Sequence, residues 1–272
     1  MKFNSRDIYV GISIFFIALY MIAFILDMVH PQYINVKSLS TLLVFKKTSS
    51  VIPSPPTLDN GWWDYFGTTY YGISILPALL GSLKFDFTVM FESLIISAIA
   101  GIAIGFIANY TGGILRKFIF YFVRTLTAAP YLLVMLLILY IARPNQTGMI
   151  AAISVGWFPF YIIRYMEVSD LGKNSGRIGK HWTFLKFLPY ILTDMGAISG
   201  IVVIITYFGF YFKNPFVVDI GNLMYLGGNV NLLLLFGIWW IVVFPLLFIT
   251  IFIGFTALLS YEIRGVIADE GR

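Results

Sequence analysis

The sequence predicts an all-α polytopic membrane protein with six transmembrane helices, and three observations carry that prediction. Of 272 residues, 59% are hydrophobic and only 11% charged, well under the roughly 25% charge of soluble globular domains. Apolar runs of about twenty residues recur along the chain, the length a helix needs to cross a hydrocarbon layer of about 30 Å. No series of short alternating segments, the mark of a membrane β-barrel, replaces them.

The first run, 8–29, follows MKFNSRD. It lacks the short core and small-residue cleavage pattern of a removed signal peptide, and reads as a retained helix. Pro31 cannot donate a backbone hydrogen bond, so that helix should stop before it. Residues 30–84 include PSPPTLDNGWWDYFGTTYYG, where prolines and glycines turn the chain and clustered aromatics suit a membrane interface. Further spans are expected at 87–110, 118–141, 149–165, 188–212 and 232–261. The expected organisation is an N-terminal cytoplasmic segment and first transmembrane helix (1–29), an extracytoplasmic loop (30–84) and a five-helix core (85–272). A cytoplasmic loop near 166–187 lies within that core.

Lys and Arg outnumber Asp and Glu by 18 to 13, which in a membrane protein speaks to topology rather than to a nucleic-acid partner. With the N-terminus in the cytoplasm, eleven bases fall inside and six outside, so both termini are expected to be cytoplasmic. No cysteine is present, which excludes a disulfide framework, a thiolate metal site and a cysteine nucleophile. The two histidines, His30 and His181, are too far apart to read as a metal pair. No metal is expected.

Charges inside spans are costly and therefore informative. Asp27, Asp86 and Arg264 stand near expected span ends and are placed at the interface. Glu92, Arg124 and Asp194 lie deeper and are the candidates for an intramembrane polar pathway or for helix pairing. Arg124 and Asp194 fall at similar depth, where one could satisfy the other. Gly101 and Gly105 form G-x-x-x-G, which favours close helix packing, and Pro130, Pro159 and Pro245 are expected to kink their helices. Asn145-Gln-Thr fits the glycosylation pattern on the expected outer side.

Between the fourth and fifth spans stands GKNSGRIGKHWTFLKFLP (172–189). It fails as a phosphate cradle, because Gly179-Lys180 is followed by His181 instead of Ser or Thr, and Asn174 occupies the place of the leading glycine. Its bases suit anionic lipid at about 1 kcal/mol each, but lipid attraction does not set the spacing of the glycines and Leu188-Pro189.

Thirteen residues separate Gly176 from Pro189. That interval resembles the cytoplasmic loop signature of ATP-binding-cassette importer permeases, E-A-A-x-x-x-G followed by L-P, with Asp170-Leu171-Gly172 standing where E-A-A would. Three further stretches resemble the C-type membrane subunit of the dipeptide and oligopeptide group. Before the second span, Gly67, Thr68, Gly72, Leu76 and Leu79 match, while Thr69, Ile73 and Ser74 replace the group's acidic and arginine positions. After it, Gly105, Ala108, Tyr110, Gly112, Gly113, Ala128 and Pro130 match, with Arg124 at the group's aspartate. Later, Phe208, Gly209, Pro215, Gly221 and Asn222 match. The chain is shorter than the group between Gly156-Trp157 and Asp170, where a charged run would lead into E-A-A.

The resemblance implies a type I importer permease fold and a subunit that forms half of a translocation path. It also implies an ATPase-coupling loop that uses Asp170, Gly172, Gly176, Leu188 and Pro189. The implied partners are a second permease subunit, two cytoplasmic ATPase subunits, an extracytoplasmic solute-binding protein and the lipid bilayer. ATP would be bound by the ATPase subunits, so the chain itself needs no cofactor, makes no covalent bonds and is not expected to be an enzyme. The substrate class is peptides or related small solutes. An oligosaccharide importer of the same group, a degenerate structural permease subunit and an ion-driven secondary transporter remain open.

Overall fold

The computed structural model describes residues 5–29, 53–58, 65–69, 74–142, 145–174, 180–208, 219–227 and 237–270. Among them eight helices follow one another: α1 (Ser5–Val29), α2 (Ile75–Thr111), α3 (Gly113–Ala128), α4 (Tyr131–Ala142), α5 (Gln146–Asn174), α6 (Lys180–Tyr207), α7 (Ile220–Gly227) and α8 (Trp240–Glu270). Among the described residues, β pairing is confined to an isolated antiparallel bridge between Thr68 and Ser74. Helices α1, α2, α5, α6 and α8 are each long and apolar enough to cross a membrane. The chain is thus a multi-pass membrane protein.

The expected third span is not one straight helix. Helices α3 and α4 meet at 86° and make a sixth span only if the bent pair is counted as one. Pro130 is the cause: it lacks a backbone N–H and pushes the residue before it out of the helical region. Ala129 accordingly adopts an extended conformation (φ −70°, ψ 145°), and the Pro130 carbonyl accepts from Leu133 N–H at 2.9 Å to start α4. Pro159 and Pro245, by contrast, lie inside continuous helices.

Helix α2 begins at Ile75, inside the expected loop, and runs for 37 residues, about 55 Å at 1.5 Å per residue. ILPALLGSL continues the apolar run past Lys84 and Asp86, the two charges read as marking its edge. Asp86 therefore lies eleven residues into the helix and is fully buried, and Asp27 is buried too. Asp27 keeps its place near the end of α1, whereas Asp86 is not at a helix end. Between α2 and α3 the chain breaks at Gly112 and Gly113, at φ 61° and 54°, where a side chain would be strained.

The described chain forms two compact units. One comprises 1–10, 89–198 and 256–272. In it α2 presses on α5 through its glycine pair: a methyl at Gly101 would meet the Phe158 carbonyl oxygen at 2.6 Å and run into Tyr161 Cβ. Ala108, Val123, Ile162 and Met166 form the adjoining core of α2, α3 and α5. Arg6 ties α1 to α8, donating to the Glu262 carbonyl at 2.9 Å and pairing with its carboxylate at 3.4 Å.

The other unit comprises 11–88 and 199–255. Tyr20 packs against Phe87, Phe248 and Phe252, and its hydroxyl donates to the Phe248 carbonyl at 2.5 Å. The segment before α2 is held by Ser54 N–H on Thr68 Oγ1 at 2.9 Å and by Trp240 Nε1 on the Thr68 carbonyl at 3.2 Å. Outside these cores the helices expose large apolar side chains, among them Ile95, Ile99, Phe106 and Phe118. Such faces suit hydrocarbon rather than water.

Candidate functional site

Most of the sequence-derived candidates fall on α3, α5, α6 and α8, in the first unit. Arg164 on α5 pairs with Asp194 on α6, whose side chain is 1% exposed against 20% for the arginine. The guanidinium also lies 5.5 Å from the Tyr161 ring centre and 4.9 Å from that of Tyr190. Arg264 of α8 stands 4.9 Å from the same Tyr190 ring, so two cations share one aromatic side chain. A guanidinium over an aromatic face gains roughly 0.5–2 kcal/mol, more where water is excluded.

A chain of hydrogen bonds continues from that cluster. Arg264 Nη2 reaches Thr193 Oγ1 at 3.4 Å, Thr193 Oγ1 donates to Ser260 Oγ at 2.8 Å, and Ser260 Oγ donates to the Pro189 carbonyl at 2.6 Å. Pro189 lies inside α6, which begins at Lys180, before the expected span start. A proline deprives the carbonyl four residues earlier of its helical donor. The proline's own carbonyl accepts from Ser260 of α8. Leu188 beside it is half-buried and Pro189 buried.

Asp170, on the last turns of α5, pairs with Arg116 of α3. Both side chains are partly exposed, at 46% and 31%. Exposed pairs contribute little, so Asp170→Asn is expected to lower stability by less than about 1 kcal/mol, as read from thermal melting of the purified protein. Gly172 follows on the same helix, which ends at Asn174. Gly176 lies outside the described residues.

Asp194 and Arg124 do not pair as the sequence suggested. Asp194 takes Arg164, whereas Arg124 is exposed on α3 with its guanidinium 5.9 Å from the Phe120 ring centre. The reason is helix length: a span ending at Tyr165 puts Arg164 at its very edge, but α5 continues to Asn174 and carries it well inside the helix. Glu92 is exposed at the middle of α2, among outward-facing Ile95, Ile96 and Ile99. Asn145, the glycosylation candidate, uses its Oδ1 to accept Gly148 N–H at 2.6 Å and so caps α5.

Chemically, this arrangement is mechanical. Among the described residues no group of three or more His, Cys, Asp or Glu could hold a metal ion. The polar groups instead join helices: α3 to α5, α5 to α6, and α6 to α8. No protein-family model matches the chain, and no curated protein is similar enough to it to count as a relative.

Proposed function

We propose that the chain is the membrane-spanning permease subunit of an ATP-driven importer for peptides or related small solutes. In this reading it forms half of the translocation path, inserts with both termini in the cytoplasm of the cell membrane, and couples to cytoplasmic ATPases through residues 170–189. The supporting motifs are the Gly176-to-Pro189 interval and the three stretches that accompany it in order. The observation that carries the mechanism is the bonding at the two ends of that segment. Asp170 is tied to α3 through Arg116, and Pro189 is tied to α8 through Ser260.

A signal that starts as a pull on the segment between α5 and α6 must bias two arrangements of packed helices to open or close a path. A loop with loose ends would absorb the pull. Ends bonded to neighbouring helices pass it on, and the Arg164–Asp194 pair makes α5 and α6 respond together. ATP closure in the partner ATPases would supply the work, and a solute-binding protein would deliver the cargo.

Replacing Gly176 with isoleucine is expected to reduce ATP-dependent uptake of labelled oligopeptides into membrane vesicles by about tenfold or more while ATP hydrolysis continues. Such uncoupling corresponds to about 1.4 kcal/mol or more of lost bias. Uptake that stays coupled in the variant would contradict the assignment. The ion-driven reading is favoured by one observation, a buried pair of aspartates in the second unit. Uptake that survives ATP depletion and collapses with an ionophore would select it.

A further inference from the structure

Two carboxyl groups in the second unit have no place in the coupling network. Asp86 on α2 and Asp219, which precedes α7, are both fully buried. They are neighbours: Asp86 Oδ2 accepts the Ile220 N–H at 3.1 Å, the amide that follows Asp219. Asp219 Oδ1 accepts Asn222 N–H at 2.8 Å and so caps α7. That leaves one oxygen on each side chain, Asp86 Oδ1 and Asp219 Oδ2, buried and without a hydrogen-bond partner among the described residues.

Among the described residues, the neighbouring hydroxyls leave these two oxygens unsatisfied. Ser82 beside Asp86 and Thr206 beside Asp219 favour the charged carboxylates through side-chain hydrogen bonding, against the larger effect of burial. Yet Ser82 Oγ donates to the Leu79 carbonyl at 2.7 Å and Thr206 Oγ1 to the Val203 carbonyl at 3.2 Å. Each hydroxyl has a single proton, divided between a backbone carbonyl and a carboxyl, so neither hydroxyl neutralises the charge beside it. Lys84, two residues before Asp86, is exposed and lies near Asp27 of α1. Two carboxylates held this close in a dry site cannot both stay ionised without a compensating positive charge.

We propose that Asp86 and Asp219 form a binding site for one proton, shared between their two unpartnered oxygens, which latches α7 onto α2. A divalent ion fits poorly, because two free carboxylate oxygens fall far short of the six to eight oxygens that calcium takes. One proton needs two oxygens and no more. When it leaves, two negative charges face each other at the start of α7, and its seat on α2 loosens.

Burial holds the Asp219 carboxyl above the usual aspartate range, up to about 6. The folded state then binds more protons than the unfolded one between the ordinary aspartate value and that point. Stability is full at low pH and falls as pH rises through about 6, with the pair titrating as a unit. The latch is independent of whether ATP or an ion gradient drives transport, so its test does not use uptake.

The full chain in lipid nanodiscs would be melted between about pH 5 and 8 at constant ionic strength, with sodium or choline as the cation. Infrared spectra of the protonated carboxyl band would be taken alongside. The expected result is a fall in melting temperature of about 4 °C or more across the titration, and loss of a one-proton carboxyl band over the same interval. Asp219→Asn, which keeps a capping side chain, should remove both changes. A flat profile, a variant with the wild-type slope, or stability set by sodium and not by pH would each overturn the proposal. The infrared band is read on the wild-type protein, so it decides even if the variants fail to accumulate.

Discussion

Arg164→Ala is expected to destabilise the protein by about 3–5 kcal/mol, the cost of leaving a buried charge without its partner. Asp194 is 1% exposed, so no water replaces the lost guanidinium. The Tyr161 face loses its cation as well, and Tyr190 keeps only Arg264. Asp194→Asn should be milder, because an amide oxygen still accepts from Arg164 and no carboxylate is stranded. The double replacement Arg164→Met with Asp194→Leu should recover most of the loss, since well-packed apolar groups replace buried ion pairs at little net cost. Melting of the purified variants in detergent checks the order. Equal damage in the single and double variants would show that the helices need the pair itself.

Gly101→Ile should be at least as severe, with little folded protein recovered from membranes. Overpacking a core costs about 1–3 kcal/mol when neighbours can shift. At Gly101 one obstacle is a backbone oxygen, Phe158 O, at 2.6 Å from the added carbon, and backbone cannot rotate away. Gly105→Ala is the milder control: its new methyl would sit 3.0 Å from Tyr165 Cβ and 3.2 Å from the Ile162 carbonyl oxygen, a tight fit that needs shifts of only a few tenths of an ångström. The prediction is a loss for Gly101→Ile several times that for Gly105→Ala, measured as melting temperature and recovered monodisperse protein.

The membrane class and the G-x-x-x-G contact were legible because each rests on local pattern: run length for the first, spacing of small residues for the second. The bend at Pro130 was only partly legible. A proline in an apolar run predicts a kink, but 86° requires the extended Ala129 and a new helix start at Tyr131. Both depend on what α3 and α4 pack against.

Partners of charged groups were the least legible. Helix ends decide depth, and a boundary nine residues further on moved Arg164 from the edge of its span to the interior of α5, where it pairs with Asp194. Asp86 was misread for the same reason at the start of α2. Asp219 gave a usable signal, since Asp before I-G-N opening a helix reads as an N-cap. Its meeting with Asp86, 133 positions earlier in sequence, is a tertiary fact with no local trace.

The chain has no cysteine, which permits the most direct test of the proposed function. A single cysteine in place of Gly172 or Gly176 would be cross-linked in the complex purified from its own membranes, with and without ATP. The expected product joins this chain to an ATPase subunit, in a yield that changes when ATP binds. A purified protein that carries no ATPase subunit, forms no such product and transports solute on an ion gradient alone would contradict the importer assignment.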